Sequence, residues 1–137
     1  MPFIHEVEVV EADIDNLGHA SNLVYLRWVQ EAALAHSTAL GFPEAAYLAR
    51  GQAWVVRMHE IEYLRAAVLG DRLRIETRVA TMKVANSLRK TEILRGDQRI
   101  CRAATDWVYV DLARGRPTRI PADVRRVFPL EPENIPT

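Results

Sequence analysis

Residues 22–40 read NLVYLRWVQEAALAHSTAL and follow the polar run 13–21, DIDNLGHAS. Leu23, Leu26, Val29 or Gln30, Ala33, Ser37 and Leu40 recur at helical spacing. Ser21 or Asn22 suits the cap at the start and Gly41 the end. Trp28, Ala32 and Ala35 add a second apolar flank, so the spacing predicts a central helix covered on more than one face.

Upstream, residues 3–12 partly alternate, with His5, Val7 and Val9 on one face and Glu6 and Glu8 on the other, as in a strand with one wet side. Downstream, Pro43 to Arg50 predicts a short helical turn. Strands are expected over 52–64, 71–82, 87–95 and 99–110. The 71–82 stretch is the clearest, because Leu73, Ile75, Thr77 and Val79 alternate with Arg72, Arg74, Glu76 and Arg78. Gly70-Asp71 and Gly96-Asp97 mark turns. Residues 111–121 should leave the sheet, Ala122 to Phe128 should form one more helical turn, and 129–137 should be a loose tail. The whole reads as one α+β domain over 1–137, a long central helix wrapped by a mostly antiparallel five-stranded sheet. Alternating strands and helices of a dinucleotide-binding fold are absent. A lone helix on so small a sheet leaves an edge strand open, which pairing with a second copy would cover.

Composition narrows the function. The chain has 137 residues, 49% of them hydrophobic, and eighteen basic residues offset eighteen acidic ones. That excludes a disordered chain and removes the basic excess of a general nucleic-acid binder. Cys101 is the only cysteine, so no intrachain disulfide forms. The N-terminus has no basic segment followed by an apolar core, and no apolar run is long enough to span a bilayer. The expectations are a cytoplasmic protein, no membrane insertion and no nucleic-acid partner.

The densest polar chemistry precedes the helix: Asp13, Asp15, Asn16, His19 and Asn22. A helix start presents unsatisfied N–H groups and a positive dipole end, which can hold a carbonyl oxygen as it gains charge. A nearby carboxylate can attack that carbonyl or activate water. Asp and Asn also satisfy backbone donors in turns, so a structural role stays open from the residues alone. A metal site on Asp13, Asp15 and His19 needs convergent ligands that this linear spacing does not establish, and none is expected.

Asp13-x-Asp15-x-x-Gly18-His19-x-x-Asn22-x-x-Tyr25-Leu26-Arg27-Trp28 closely resembles the opening motif of hotdog-fold acyl-CoA thioesterases of the 4-hydroxybenzoyl-CoA thioesterase family. Tyr63-Leu64-Arg65-Ala66 before Gly70-Asp71 resembles that family's second-strand exit, where the residue matching Ala67 is often proline. Val108-Tyr109-Val110-Asp111, Gly115-Arg116-Pro117 and Ile120-Pro121 resemble its C-terminal strand and tail. The similarity spans roughly residues 5 to 128.

The resemblance implies a hotdog domain that hydrolyses an acyl-CoA thioester to free acid and CoA. It makes Asp15 the nucleophile or general base, near a subunit boundary, and has N–H donors around Ala20, Ser21 and Asn22 polarise the carbonyl. Asn22 orients the carbonyl or water, and His19 matches a histidine present in one branch only. Asp13 organises the turn and Tyr25 packs along the acyl pocket. Glu31 is a competing helix carboxylate, since some hotdog thioesterases use one.

Substrate contacts are less constrained. Sixteen of the eighteen basic residues are Arg, and guanidinium groups suit phosphate oxygens. Arg57, Arg65, Arg89 and Lys90 are candidates for the CoA phosphates, and His59 lies on a strand that can approach the site. Trp28, Trp54, Met58 and Trp107 are candidates for an acyl pocket as well as for core. No cofactor is expected, coenzyme A being part of the substrate. The expected partners are acyl-CoA and a second copy, as a homodimer or a dimer-based homotetramer, with acyl carrier protein as an alternative substrate carrier. A non-catalytic acyl-thioester-binding protein is the other alternative. A hydratase is disfavoured, because residues 13–19 lack the Asp-x-Asn-Pro-x-His pattern of hotdog hydratases.

Overall fold

The computed structural model of the chain describes residues 1–132. The long helix, α1 (Asn22–Ala39), starts on Ser21, whose Oγ accepts the Leu23 N–H at 3.2 Å. It ends where Gly41 turns left-handed at φ 97°, with the Gly41 N–H on the Thr38 carbonyl and the Phe42 N–H on the Ser37 carbonyl. Glycine enters that conformation without a Cβ clash.

Five antiparallel strands curl around α1: β1 (Phe3–Glu8), β2 (Gln52–Tyr63), β3 (Arg72–Val79), β4 (Asn86–Arg95) and β5 (Gln98–Asp111). Their order is β1-β3-β4-β5-β2, so β2 and β1 are the edges. Residues 111–121 do not wholly leave the sheet, since Arg116–Pro117 returns as a two-residue β6 against the end of β5. Two short helices, α2 (Glu44–Leu48) and α3 (Ala122–Val127), complete the fold.

The core forms where α1 faces the sheet. Val24, Tyr25, Trp28, Val29 and Ala32 pack on Leu73, Ile75, Ile93, Ile100 and Ala103. Full burial of a side chain such as Val29 contributes about 1.5–3 kcal/mol. A second cluster at the other end of α1 joins Tyr47 of α2, Val79, Tyr109, and Val124 and Phe128 around α3. The alternation of 72–79 is met in full, Leu73, Ile75, Thr77 and Val79 being buried.

α1 is covered on more than one face, as expected: Val29, Ala33 and Ser37 of one stripe and Trp28 and Ala32 of the flank beside it are all buried. The remaining side, with Leu23, Arg27, Gln30, Glu31, Leu34 and Thr38, is exposed. The start of the 129–137 tail is docked. Leu130 bridges Val79, the Glu131 N–H donates to the Val79 carbonyl at 2.8 Å, and the Glu131 carboxylate pairs with the N-terminal amine. Residues 133–137 of that expectation lie outside the described residues.

Candidate active site

Asp13 is 3% exposed and holds the turn together. Its carboxylate accepts the Val10 N–H at 3.0 Å and Arg27 Nη2 at 2.8 Å, while its carbonyl accepts the Ser21 N–H at 2.9 Å. Arg27 also reaches Glu31 at 3.5 Å, so a cation fixes the turn to the first turns of α1. Sequence reasoning missed Arg27, although a buried aspartate needs a counter-charge.

Asp15 is exposed. Its Oδ1 accepts the Leu17 N–H at 2.8 Å, and its backbone N–H donates to the His19 carbonyl at 2.9 Å. Gly18, at φ 80°, reverses the chain so that Ile14 and Ala20 pair. Oδ2 has no protein partner among the described residues, so one carboxylate oxygen is anchored and the other is open.

The helix start offers fewer donors than its N–H count suggests. The Ala20 N–H is spent on the Ala67 carbonyl, the Ser21 N–H on the Asp13 carbonyl and the Leu23 N–H on Ser21 Oγ. Among the described residues, neither the Asn22 N–H nor its side-chain amide has a protein partner. The expected set of donors over Ala20, Ser21 and Asn22 thus narrows to Asn22. The positive end of the 18-residue helix reinforces it.

The segment after β2 closes the other side. Tyr25 Oη accepts the Ala67 N–H at 2.9 Å and donates to the Arg65 carbonyl at 3.4 Å. Tyr63 Oη donates to the Asn22 carbonyl at 3.3 Å and its ring meets Tyr25 edge-on. Arg95 ties the Ala66 carbonyl and Asp71 together. Burial raises the Tyr25 hydroxyl above its usual pKa, keeping it a neutral donor and acceptor.

These pieces enclose a cavity of about 450 Å³. Asp15, His19, Ala20, Ser21, Asn22, Tyr25 and Arg65, all named from the sequence, line it together with Tyr63, Leu64 and Ala66. The His19 ring and the Arg65 guanidinium have no protein partner among the described residues. Tyr63, Leu64 and Ala66 were legible only as a motif, because their contact with the turn spans some forty residues.

Four expected substrate residues lie elsewhere. His59 is on β2, its Nδ1 2.9 Å from Thr105 Oγ1 and its Nε2 3.3 Å from Gln30 Nε2; burial lowers its pKa. Arg89 does not face solvent. It is 6% exposed, on the helix-facing side of β4 with Ser87, Thr91 and Ile93. Lys90 follows on the opposite face by alternation. Arg57, at a bulge in β2, is engaged with Asp106. Among the described residues no three His, Cys, Asp or Glu side chains converge as a metal set, and no helix is long and apolar enough to cross a membrane.

A second cavity, about 520 Å³, lies between α1 and the first half of β2. Leu34, Tyr47, Trp54, Val56 and Phe128 make it largely apolar, and the exposed Glu31 also lines it. The larger cavity holds neither Asp15 nor the helix start, both of which line the smaller one.

A family model for the thioesterase-like superfamily matches residues 9–128. The acyl-CoA thioesterase YbgC of Haemophilus influenzae is 30% identical over 127 residues, 92% of this chain and 93% of that protein. A probable thioesterase from Bartonella henselae superposes with a TM-score of 0.84 at 25% identity, covering 88% of this chain and 100% of that one. The 1,4-dihydroxy-2-naphthoyl-CoA thioesterase Slr0204 from Synechocystis gives 0.86 at 21% identity, over 93% and 95% of the two chains. With this fold and this turn, the chain belongs to the thioesterase-like superfamily, among the hotdog-fold acyl-CoA thioesterases.

Proposed function

We propose that the protein hydrolyses an acyl-CoA thioester to the free acid and CoA in the 450 Å³ cavity, with Asp15 as the reacting carboxylate. One observation carries this: Asp15, with one carboxylate oxygen unbonded among the described residues, and Asn22, with its N–H likewise unbonded, line the same cavity. The Asn22 N–H and the helix dipole hold the thioester oxygen as it becomes an oxyanion. Asp15 then works by one of two routes. It attacks the carbonyl carbon and expels CoA thiolate, leaving an acyl anhydride that water cleaves. Alternatively it takes a proton from water, whose oxygen attacks while the thiolate leaves. His19 and the Asn22 amide orient water or carbonyl, Tyr25 holds the wall, and Arg65, exposed and unpaired among the described residues, receives CoA phosphate.

The working unit is a dimer through β2. This edge strand is twelve residues long and exposes Val55 and Met58. Pairing with a second copy satisfies its free backbone groups. Two such strands run in opposite directions, so the Ala53–Val56 end of each lies beside the Tyr63 end of the other. That arrangement brings the Asp15 cavity of one copy toward the apolar cavity of its partner, which then takes the acyl group.

The decisive experiment is a panel of acyl-CoA and acyl carrier protein thioesters followed for free thiol and for substrate loss. Thiol release by the wild type, lost in a folded Asp15→Asn protein, is the expected result. Binding without thiol release at stoichiometric protein would refute hydrolysis. Preference for the carrier-protein substrates would refute CoA as the carrier.

A further inference from the structure

The 520 Å³ cavity is largely apolar; Arg27, Gln30, Glu31 and Glu44 stand at its exposed side, and its buried charge lies where β4 and β5 run side by side. There Arg89 and Trp107 share the helix-facing side of adjacent strands, Ser87 being opposite Trp107 and Arg89 opposite Thr105. Among the described residues, Arg89 is a buried cation without a carboxylate partner. Its Nη1 donates to His36 Nδ1 and to Thr77 Oγ1, both at 3.0 Å, and its Cζ lies 5.9 Å from the Phe128 ring centroid. All three partners are neutral: burial, then the guanidinium itself, depress His36 to about 4. Nε and Nη2 have no protein acceptor among the described residues. The Trp107 indole N–H is buried and equally without an acceptor.

A buried cation without a counter-ion is costly, and so is a buried donor without an acceptor. Both residues line one cavity, whose own carboxylates, Glu31 and Glu44, are exposed and bond neither of them, so the buried end of the cavity lacks a negative charge and an acceptor for the remaining donors. A carboxylate supplies both, since it takes the guanidinium fork in bidentate fashion and leaves lone pairs for the indole N–H. The surrounding Leu34, Trp54, Val56 and Phe128 suit the carbon chain or ring that carries it.

We propose that the preferred acyl groups bear a carboxylate at the end remote from the thioester, and that Arg89 with Trp107 binds it. This rests on the thioesterase reading and on the apolar cavity as the acyl site. It makes Arg89 a specificity residue for the acyl tail in place of a CoA contact.

The test uses mono-CoA thioesters of linear dicarboxylic acids, each beside its ω-methyl ester, which keeps the length and removes the charge. Wild-type kcat/KM should favour the free carboxylate by about tenfold or more at the best chain length. Arg89→Met should abolish that preference through KM and leave methyl-ester hydrolysis in place. Trp107→Phe keeps the ring and removes only the N–H, so it should reduce the preference several-fold. It decides the point where Arg89→Met does not fold. Equal rates on both members of every wild-type pair, or an undiminished preference in the folded variants, would overturn the inference while hydrolysis stands. No thiol release from any thioester would overturn hydrolysis itself, and the inference with it.

Discussion

Replacing Tyr25 by Phe removes one oxygen atom and keeps the ring against Trp28 and Tyr63. That oxygen is the acceptor for the Ala67 N–H at 2.9 Å, and Ala67 is fully buried. An N–H stranded there costs about 1–3 kcal/mol. The second bond, to the Arg65 carbonyl, is long at 3.4 Å and ends on an exposed residue, so its loss adds little. For a domain of this size the sum lowers Tm by about 4 °C per kcal/mol, or about 4–12 °C in all. The effect should reach the site, because the Ala67 carbonyl holds the Ala20 N–H at 2.9 Å. Loosening Ala67 therefore frees the 65–66 wall and the turn before α1 together, raising KM for acyl-CoA more than it lowers kcat. Calorimetry and steady-state thiol release on the same preparation read both quantities. A Tm within about 1 °C of wild type would show that Tyr25 does not hold this N–H, and the cavity wall would need another explanation.

Asp15→Asn should cut kcat/KM by about 10²- to 10⁴-fold. It should leave the melting temperature unchanged, since an amide oxygen can still accept the Leu17 N–H; normal turnover in the folded variant would remove Asp15 from the chemistry. Asp13→Asn should cost about 1–2 kcal/mol in urea unfolding, because Arg27 loses its anion but is half-exposed and can rehydrate. An unchanged midpoint would deny Asp13 its organising role. His36 is depressed from 6.5 to about 4, first by burial and then by Arg89, with Glu131 opposing. The unfolded chain therefore takes up a proton that the folded one refuses, and stability falls as pH drops through that window, by about 3 kcal/mol at most. His36→Gln keeps an acceptor for Arg89 and should flatten that slope; parallel curves for the two proteins would contradict a neutral His36. Val55→Asp with Met58→Asp on the β2 edge should convert the dimer to monomer by light scattering, and a persisting dimer would place the interface elsewhere.

The site was legible where it is local. Asp15, Gly18, Asn22 and Tyr25 fall within eleven consecutive residues, so turn chemistry and helix spacing place them without a tertiary contact. Arg89 shows the opposite case. In residues 87–94, SLRKTEIL, one alternating set is Ser, Arg, Thr and Ile, the other Leu, Lys, Glu and Leu. Neither set is clearly apolar, so periodicity cannot say which faces the helix, and a charged residue is assigned outward by default. Pairing with β3 on one side and β5 on the other settles it, burying Ser87, Arg89, Thr91 and Ile93.

Short-range physics, namely strand alternation, helix period and the glycines at turns, is written in neighbouring residues. It suffices for the element order, the α+β class and the carboxylate before the helix. The commitment of the Ala20 and Ser21 N–H groups depends on folding, as does the closing of the cavity by Tyr63 to Ala66. So does the enclosure, among the described residues, of Arg89 without a carboxylate and of the Trp107 N–H without an acceptor. Each depends on groups far apart in the chain arriving within hydrogen-bond distance, and burial is a property of the packed chain that no single segment carries.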